Sequence, residues 1–395
     1  MSLPADDALT APAAARLAVR RLSLADFRCY GHLRLETDSR PVVLTGPNGA
    51  GKTNVLEALS FLVPGRGMRR AALGDVARTG AGPGAPWAVA AVIESGPGGP
   101  VEIGTGREAG NERRSVRIDG DVAKPGDLAG LMSALWLTPA MDRLFTEGTS
   151  GRRRFLDRLA FGLVPGHAAQ AGAYEHAMRE RNRLLKAARD GGGRGDPAWL
   201  AALEDGMARH GVAVAAVRVD TVTRLDRACR MGLGPFPAAR LRVEGEVEGW
   251  LAEGSAPSEA EDRLRDALGF ARARDEAAGT ATLGPHKSDL VVRHAAKDLP
   301  VGQCSTGEQK AVLVAIVLAQ ARVQAADRGQ APLLLLDEVV AHLDEVRRAA
   351  LFDELCALSA QSWMTGTDWM LFDGFGDRAQ FFRVADASIH PLNQG

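Results

Sequence analysis

Eight consecutive residues, Gly46-Pro47-Asn48-Gly49-Ala50-Gly51-Lys52-Thr53, have the types and spacing of a loop that wraps phosphates, G-x-x-x-x-G-K-[ST]. Gly46, Gly49 and Gly51 let the backbone turn tightly and bring its N–H groups against an anion with no Cβ in the way. A helix leaving the loop adds partial positive charge at its N-terminus. In such a loop Lys52 reaches the β- and γ-phosphates and the Thr53 hydroxyl ligates Mg²⁺. A Gly-rich turn with a surface lysine would use the same letters, so the flanks decide. Residues 41–45 read as a short buried strand entering the loop, and 53–62 carry apolar residues at helical spacing. The chemistry implied is the binding of a nucleoside triphosphate.

Two acids supply a second piece. Residues 332–336 form an apolar run that ends in Asp337-Glu338, as a buried strand of a parallel sheet does at the end where α/β sheets place ligands. There Asp337 would hold Mg²⁺ through water opposite Thr53, and Glu338 would accept a proton from water attacking the γ-phosphate. The third piece is Ser305-Thr306-Gly307-Glu308, a capping box that starts a helix with exposed N–H groups. A plain capped core helix explains it equally well. One sheet already has its anion site in the first loop, so this helix would reach a phosphate most readily on a second copy of the chain.

The elements that must position these residues can be traced along the chain. Residues 17–36 alternate apolar and polar ahead of the loop, as strands do. Residues 87–94, 101–103 and 115–118 are strand-like runs set off by Gly/Pro turns at 80–86 and 96–100, a β-meander. Beyond Pro139 the composition shifts to Ala, Arg, Leu and Glu, and residues 174–190 and 197–231 have helical periodicity, with loops at 191–195 and 253–257. Heptads do not persist, so no long coiled coil is expected. Strand-like runs resume at 289–292 and 333–336. The expected class is α/β. A disordered tail spans 1–15, a discontinuous P-loop lobe takes 16–136 and 281–395, and a mainly helical lobe is inserted at 137–280.

The three pieces together resemble an ABC-type ATPase of the SMC-like branch, with Ser305 leading the signature sequence. More narrowly the chain resembles the RecF family. The resemblance rests also on Asp26 to Tyr30, Leu56 to Ala58, Gly65 to Arg69, Thr138 to Leu144, Arg152 to Asp157, Gly284 to Leu290 and Thr365 to Asp368. It implies an ABC-type head with a mixed sheet, using ATP and Mg²⁺. Lys52, Asp337, Glu338 and Ser305 would be its catalytic set. It implies a homodimer that forms on ATP binding, with each nucleotide between one subunit's P-loop and the other's Ser305, Thr306, Gly307 and Glu308, and with Asp344 at the seam. It implies binding to DNA at gaps and single-strand/duplex junctions, and loading of recombinase with RecO and RecR in recombinational repair and replication restart. Arg28 would contact the nucleotide.

The chain departs from the pattern in places. Cys304 replaces a leucine, Thr306 and Glu308 replace a glycine and a glutamine, no glutamine precedes Gln170, and no histidine lies in 363–368, where Thr365 or Thr367 would substitute. Lys287 and Ser288 stand where the family more often has Arg and Asp. These changes imply a slow DNA-stimulated switch rather than a fast motor. A transporter subunit is disfavoured by the helical insert and by the missing histidine and glutamine. Another SMC-like or anti-phage head with an unrelated effector is the alternative, but an effector nuclease needs an acidic metal cluster, and none follows Glu338. A clamp without hydrolysis is opposed by Glu338 itself.

Bulk properties narrow the partners. The 395 residues carry a formal net charge of −1, so contact with nucleic acid must come from local patches. Candidate DNA contacts are Arg66 and Arg69, with Arg70 beside them, and Arg152, Arg153 and Arg154, with Arg158. Arg179, Arg181, Arg183, Lys186 and Arg189 form a third cluster, and about half of all these arginines would be solvated surface. Aromatics are 5% of the chain, which favours contact with the backbone of duplex or junction DNA over base stacking. His286, beside proline, reads as a packed hydrogen-bonding residue. Four scattered cysteines point to a reducing compartment, and residues 1–15 lack the features of a signal peptide. The apolar run 311–319 is far short of the ~18 residues of a membrane span, so a cytoplasmic protein without membrane contact is expected. Lys52→Ala should abolish ATP binding, because it removes a charge-assisted contact worth ~1.5–3 kcal/mol from a site with several; titration with a fluorescent nucleotide reads the loss.

Overall fold

The computed structural model describes residues 17–82, 84–95, 98–191, 196–358 and 361–392. The expected tail, 1–15, and residues 192–195 of the expected Gly-rich loop lie outside them.

Alternation builds the first layer. Ala18–Phe27 (β1) and Tyr30–Glu36 (β2) pair as a hairpin whose Leu22, Leu24, Phe27, Leu33 and Leu35 point inward. Val42–Thr45 (β3) and Lys52–Ser60 (α1) then form the strand–loop–helix unit. The meander follows as Trp87–Glu94 (β4), Pro100–Arg107 (β5), Ser115–Ile118 (β6) and Asp121–Ala123 (β7). Asp119 and Gly120 both have positive φ in the two-residue turn between β6 and β7, the favoured chemistry of a tight hairpin. These strands make a six-stranded antiparallel sheet of order β2-β1-β4-β5-β6-β7.

Ala134–Leu137 (β8) precedes the helical segment Thr149–Leu163 (α2), His167–Gly191 (α3) and Pro197–Arg230 (α4). Asp196 starts α4, its carboxylate accepting from Ala198 N, and a proline occupies the first turn. Ala239–Glu244 (β9), Glu246–Ala252 (α5), Pro257–Phe270 (α6) and Arg272–Ala278 (α7) come next, then Asp289–His294 (β10), Leu299–Pro300 (β11) and Thr306–Arg328 (α8). The chain closes with Leu333–Leu336 (β12), Glu345–Ala357 (α9), Ser362–Gly366 (β13), Gln380–Ala385 (β14) and Ser388–Pro391 (β15).

The central sheet has the order β15-β14-β3-β13-β12-β8 and is parallel except for β15. Its inner strands β3, β13 and β12, and β8 beside them, are buried on both faces. Val42, Leu44, Leu333, Leu335 and Trp363 join the core around α1 and the antiparallel sheet, whereas Val43, Leu334, Leu336 and Met364 join the core around α8 and α9. That is why β8 and β12 read as unbroken apolar runs. Gln361 fastens the two sheets: its Oε1 accepts from Val19 N (2.8 Å) and Trp363 Nε1 (3.1 Å), and its amide donates to Val19 O (3.1 Å) and Asp38 O (2.7 Å).

Of the strands not anticipated, which also include β7, β11, β13, β14 and β15, two change the organisation most. The run 134–137 extends the central sheet beside β12. Within the segment expected to be helical, β9 pairs antiparallel with β10, Ala239 opposite His294 and Glu244 opposite Asp289. Its sequence alternates Ala239, Leu241 and Val243 inward with Arg240, Arg242 and Glu244 outward, a period of two masked by an Ala/Arg-rich composition. The three-stranded sheet β11-β10-β9 therefore draws on both sides of residue 280, the boundary expected for the insert.

The helical segment folds back on itself around its own core, in which Tyr174, Met207, Val212, Trp250 and Leu264 meet. It also buries Arg181 completely, which corrects the placing of that residue in a surface basic cluster. Arg181 donates to Glu204 (2.9 Å), Asp275 (2.7 Å) and Leu268 O (2.8 Å). No helix among the described residues is long and apolar enough to cross a membrane. Arg181→Ala should cost about 3–5 kcal/mol of stability by leaving the buried Asp275 carboxylate without its cation; urea unfolding of the variant beside the parent measures it.

Candidate nucleotide site

The loop 46–53 takes its shape from close approach. A Cβ on Gly46, where φ is 151°, would lie 2.1 Å from Val384 O of β14. One on Gly51, where φ is 112°, would lie 2.6 Å from the Tyr30 hydroxyl and 2.8 Å from Cys29 Sγ. Glycine is required at both positions. The β1–β2 turn thus supports the loop from below: Tyr30 donates to Gly51 O at 3.2 Å, and Asn54 Nδ2 donates to Cys29 Sγ at 3.1 Å. Burial raises the Tyr30 pKa far above its ordinary value, which keeps the hydroxyl a neutral donor.

Lys52 is 4% exposed and curls over the loop, donating to Gly46 O (2.7 Å) and Pro47 O (2.8 Å). Burial lowers its pKa, and Glu338 and Asp337 oppose that shift. The strand register brings the acids to it. Leu336 pairs with Met364 and Thr365 pairs with Leu44, so Asp337, Thr365 and the start of the loop stand side by side at the C-terminal ends of β12, β13 and β3. Asp337 Oδ1 accepts from Thr53 Oγ1 (2.9 Å) and from Thr365 Oγ1 (2.7 Å). Thr365 Oγ1 in turn accepts from Glu338 N at 3.0 Å. Glu338 has φ 53°, a left-handed conformation that costs a non-glycine residue energy and that recurs at working sites. Thr365 thus bridges both acids, a role distinct from the sensor substitution expected of it. Thr367 is exposed at the strand end.

Ser305 caps α8 as expected, its Oγ accepting from Glu308 N at 3.4 Å. The Glu308 carboxylate accepts from Ser305 N (3.2 Å) and Oγ (3.0 Å) and lies 2.5 Å from Lys297 Nζ. The Lys297 bond first, then the two from Ser305, hold the Glu308 carboxyl down to about 2. Ser305, Thr306 and Gly307 are exposed, and the Cα of Gly307 faces open space. Among the described residues, no hydrogen bond or ion pair joins this motif to the loop 46–53, Asp337 or Glu338. Asp344 caps α9, accepting from Arg347 N at 2.8 Å.

Several arginines have structural engagements that their sequence positions did not reveal. Arg28, expected at the nucleotide, gives its fork to the buried Glu57 (2.9 and 2.6 Å) and also donates to Asp75 O. Arg69 donates to the same carboxylate (3.2 Å) and to Asn54 Oδ1 (3.0 Å), both on α1. Arg152 grips Asp289 through two bonds, at 2.7 and 2.9 Å, joining α2 to β10. Arg153 donates to Ser288 O (2.8 Å) and Thr149 Oγ1 (2.7 Å). Arg66 and Arg154 are exposed, and among the described residues their side chains make no hydrogen bond or ion pair. His286 is packed: its Nε2 donates to Ala281 O (2.9 Å) and its Nδ1 accepts from Tyr174 (2.6 Å), and burial lowers its pKa. Among the described residues no group of three His, Cys, Asp or Glu side chains could hold a metal ion.

Residues 18–371 match the model of the RecF/RecN/SMC N-terminal domain family. The chain is 51% identical over 383 residues to the DNA replication and repair protein RecF of Caulobacter vibrioides, covering 96% of this chain and 99% of that one. It is 49% identical over 379 residues to the protein of the same name from Rhizobium etli strain CFN 42, covering 95% and 99%. In fold it is similar to the recombination mediator protein RecF of the RecFOR pathway solved with ATP, with a TM-score of 0.79 at 21% identity over 95% of this chain and 99% of that one. It is more distantly similar to the Smc head domain of Pyrococcus furiosus, with a TM-score of 0.53 at 16% identity over 95% and 96%. With a P-loop, a strand-end acid pair and a helix capped by Ser305 on one such scaffold, the chain belongs to the RecF family, within the wider RecF/RecN/SMC group of ABC-type ATPase heads.

Proposed function

We propose that this protein is an ATP-dependent DNA-binding switch of replication-linked repair, which closes as a homodimer around ATP at gaps and single-strand/duplex junctions. The observation that carries the reading is the division of its machinery. Lys52, Thr53, Asp337, Glu338 and Thr365 converge at one sheet end, while the helix N-terminus at Ser305 is exposed and, among the described residues, makes no bond to them. A second copy would supply that terminus and its N–H groups to the γ-phosphate, with Thr306, Gly307 and Glu308 beside it and Asp344 at the seam. The names of its relatives support a role in DNA replication and repair. The RecFOR setting of the structural neighbour supports RecO and RecR as partners in loading recombinase, and a DNA substrate supports a cytoplasmic location.

In this reading Lys52 exchanges the Gly46 and Pro47 carbonyls for phosphate oxygens. Thr53 and Asp337 offer two adjacent hard oxygens, a donor set that fits Mg²⁺ with the remaining positions filled by water and phosphate. Held there, such an ion would supply neutralisation of charge on the phosphates. Glu338 orients the attacking water and accepts its proton. Thr365 holds the Asp337 carboxylate and the Glu338 backbone, so it positions both acids. Hydrolysis is slow and is stimulated by DNA.

Sedimentation with and without ATP tests the division. Ser305→Ala should bind ATP as a monomer and fail to dimerise, and Glu338→Gln should bind ATP and accumulate as the dimer. Normal dimerisation of the Ser305 variant would overturn the composite site. Thr365→Val should slow hydrolysis about tenfold, near 1.4 kcal/mol, and raise the Mg²⁺ concentration needed, while Thr365→Ser keeps both near the parent values. Phosphate release measured across a Mg²⁺ titration separates the two.

A further inference from the structure

Where α2 and α3 face the segment that follows α1, a cleft of about 280 Å³ opens, and Arg70, Arg153, Arg154, Arg179 and Arg218 line it. Its carboxylates do not balance these cations. Asp157 is held by Arg218 through two bonds, at 2.8 and 3.0 Å, and lies 3.0 Å from His167. Arg218 also donates to Glu248 and Pro285 O, so it and Asp157 form a closed structural unit. Glu175 is then the lining carboxylate left over for the four remaining guanidinium groups.

Those four have little to hold. Arg153 and Arg179 spend donors on neutral oxygens, of Ser288 and Thr149 and of Glu175 O respectively. Among the described residues, the side chains of Arg70 and Arg154 make no hydrogen bond or ion pair. Behind them Arg158 lies over the Trp136 ring at 3.9 Å, with Met141 Sδ as its hydrogen-bond partner and, among the described residues, no carboxylate. Burial pushes Arg158 down to about 9, and Arg70 and Arg154 add to the shift. Burial also lowers Arg70 and Arg153; Arg154 adds to each and Arg218 to Arg153, while Glu175 partly relieves Arg70 and Asp289 and Asp157 partly relieve Arg153. The cluster repels itself, and a bound anion would relieve it.

The anion is of a definite kind. Guanidinium forks match phosphate oxygens. The two rings that line the cleft, Tyr174 and His286, are bonded to each other, and the remaining charged lining is guanidinium-rich. Recognition here is of phosphate without base, which is the chemistry of backbone contact. We propose that this cleft clamps the phosphodiester backbone of DNA, with Arg70 contributed by the segment after α1 and Arg153, Arg154 and Arg179 by the helical segment. The inference deepens the DNA-binding reading above and rests on it. Arg69, next in sequence to Arg70, is bonded to Asn54 and Glu57 of the P-loop helix, so DNA held here borders the nucleotide site.

The test uses the full chain with saturating ATP and Mg²⁺ and a fluorescent gapped oligonucleotide, titrated between about 50 and 200 mM salt. The variant R70Q/R154Q/R179Q should bind DNA at least tenfold more weakly, with a slope of log K against log salt shallower by about 2–3. R154Q alone should lose about one unit of slope, which keeps the test open if the triple variant folds poorly. The charge-matched control R113Q/R240Q/R242Q should bind like the parent. Triple and single variants that bind and depend on salt like the parent would overturn the clamp while leaving DNA binding intact. A parent that binds no DNA would overturn the functional reading as well. In a parallel arm, the gapped DNA should protect Arg154 from phenylglyoxal; protection by tripolyphosphate but not by DNA would assign the cleft to a free phosphate compound and overturn the DNA assignment.

Discussion

One oxygen organises the nucleotide site. Asp337 Oδ1 accepts from Thr53 on the P-loop helix and from Thr365 on the intervening strand, and Thr365 accepts from the Glu338 backbone. Three strands that are distant in sequence meet there only because the central sheet is parallel and its register is fixed on both faces by apolar packing. A one-residue slip of β12 would send every inward side chain to the other core and carry Asp337 away from Thr53. The chemistry therefore depends on the two cores that flank the sheet as much as on the polar residues themselves.

The same dependence explains which features could be read before the structure. The strand–loop–helix unit around Lys52 and the acidic strand end are local patterns, and they were legible. So was the capping box at Ser305, because its bonds span only three residues. The strands 134–137 and 239–244 were missed for opposite reasons: one is too short to show a period, and the other shows a period of two inside a composition that favours helix. Arginine was the least legible residue. Arg181, Arg152, Arg28 and Arg69 all have carboxylate partners far along the chain, so no local pattern separates them from Arg66 or Arg154, which have none among the described residues.

Glu57 shows how such partners combine. Its buried carboxylate takes Arg28 from the β1–β2 turn and Arg69 from the segment after α1. One acid on the P-loop helix thereby holds two cations and anchors two loops, one supporting the phosphate loop from below and the other leading to the arginine-rich cleft. Removing it would strand both guanidinium groups, so its cost would exceed that of a single surface pair.

The three-stranded sheet has a practical bearing on how this chain can be divided. Because β9 comes from the helical segment and β10 from the stretch beyond it, severing the polypeptide near residue 280 would leave each fragment with an unpaired strand edge. Bare edges of that sort recruit foreign strands and drive clumping. Excision at this point should give sticky fragments rather than two well-behaved modules, and a soluble truncation would have to keep the 239–244 ribbon with its partner.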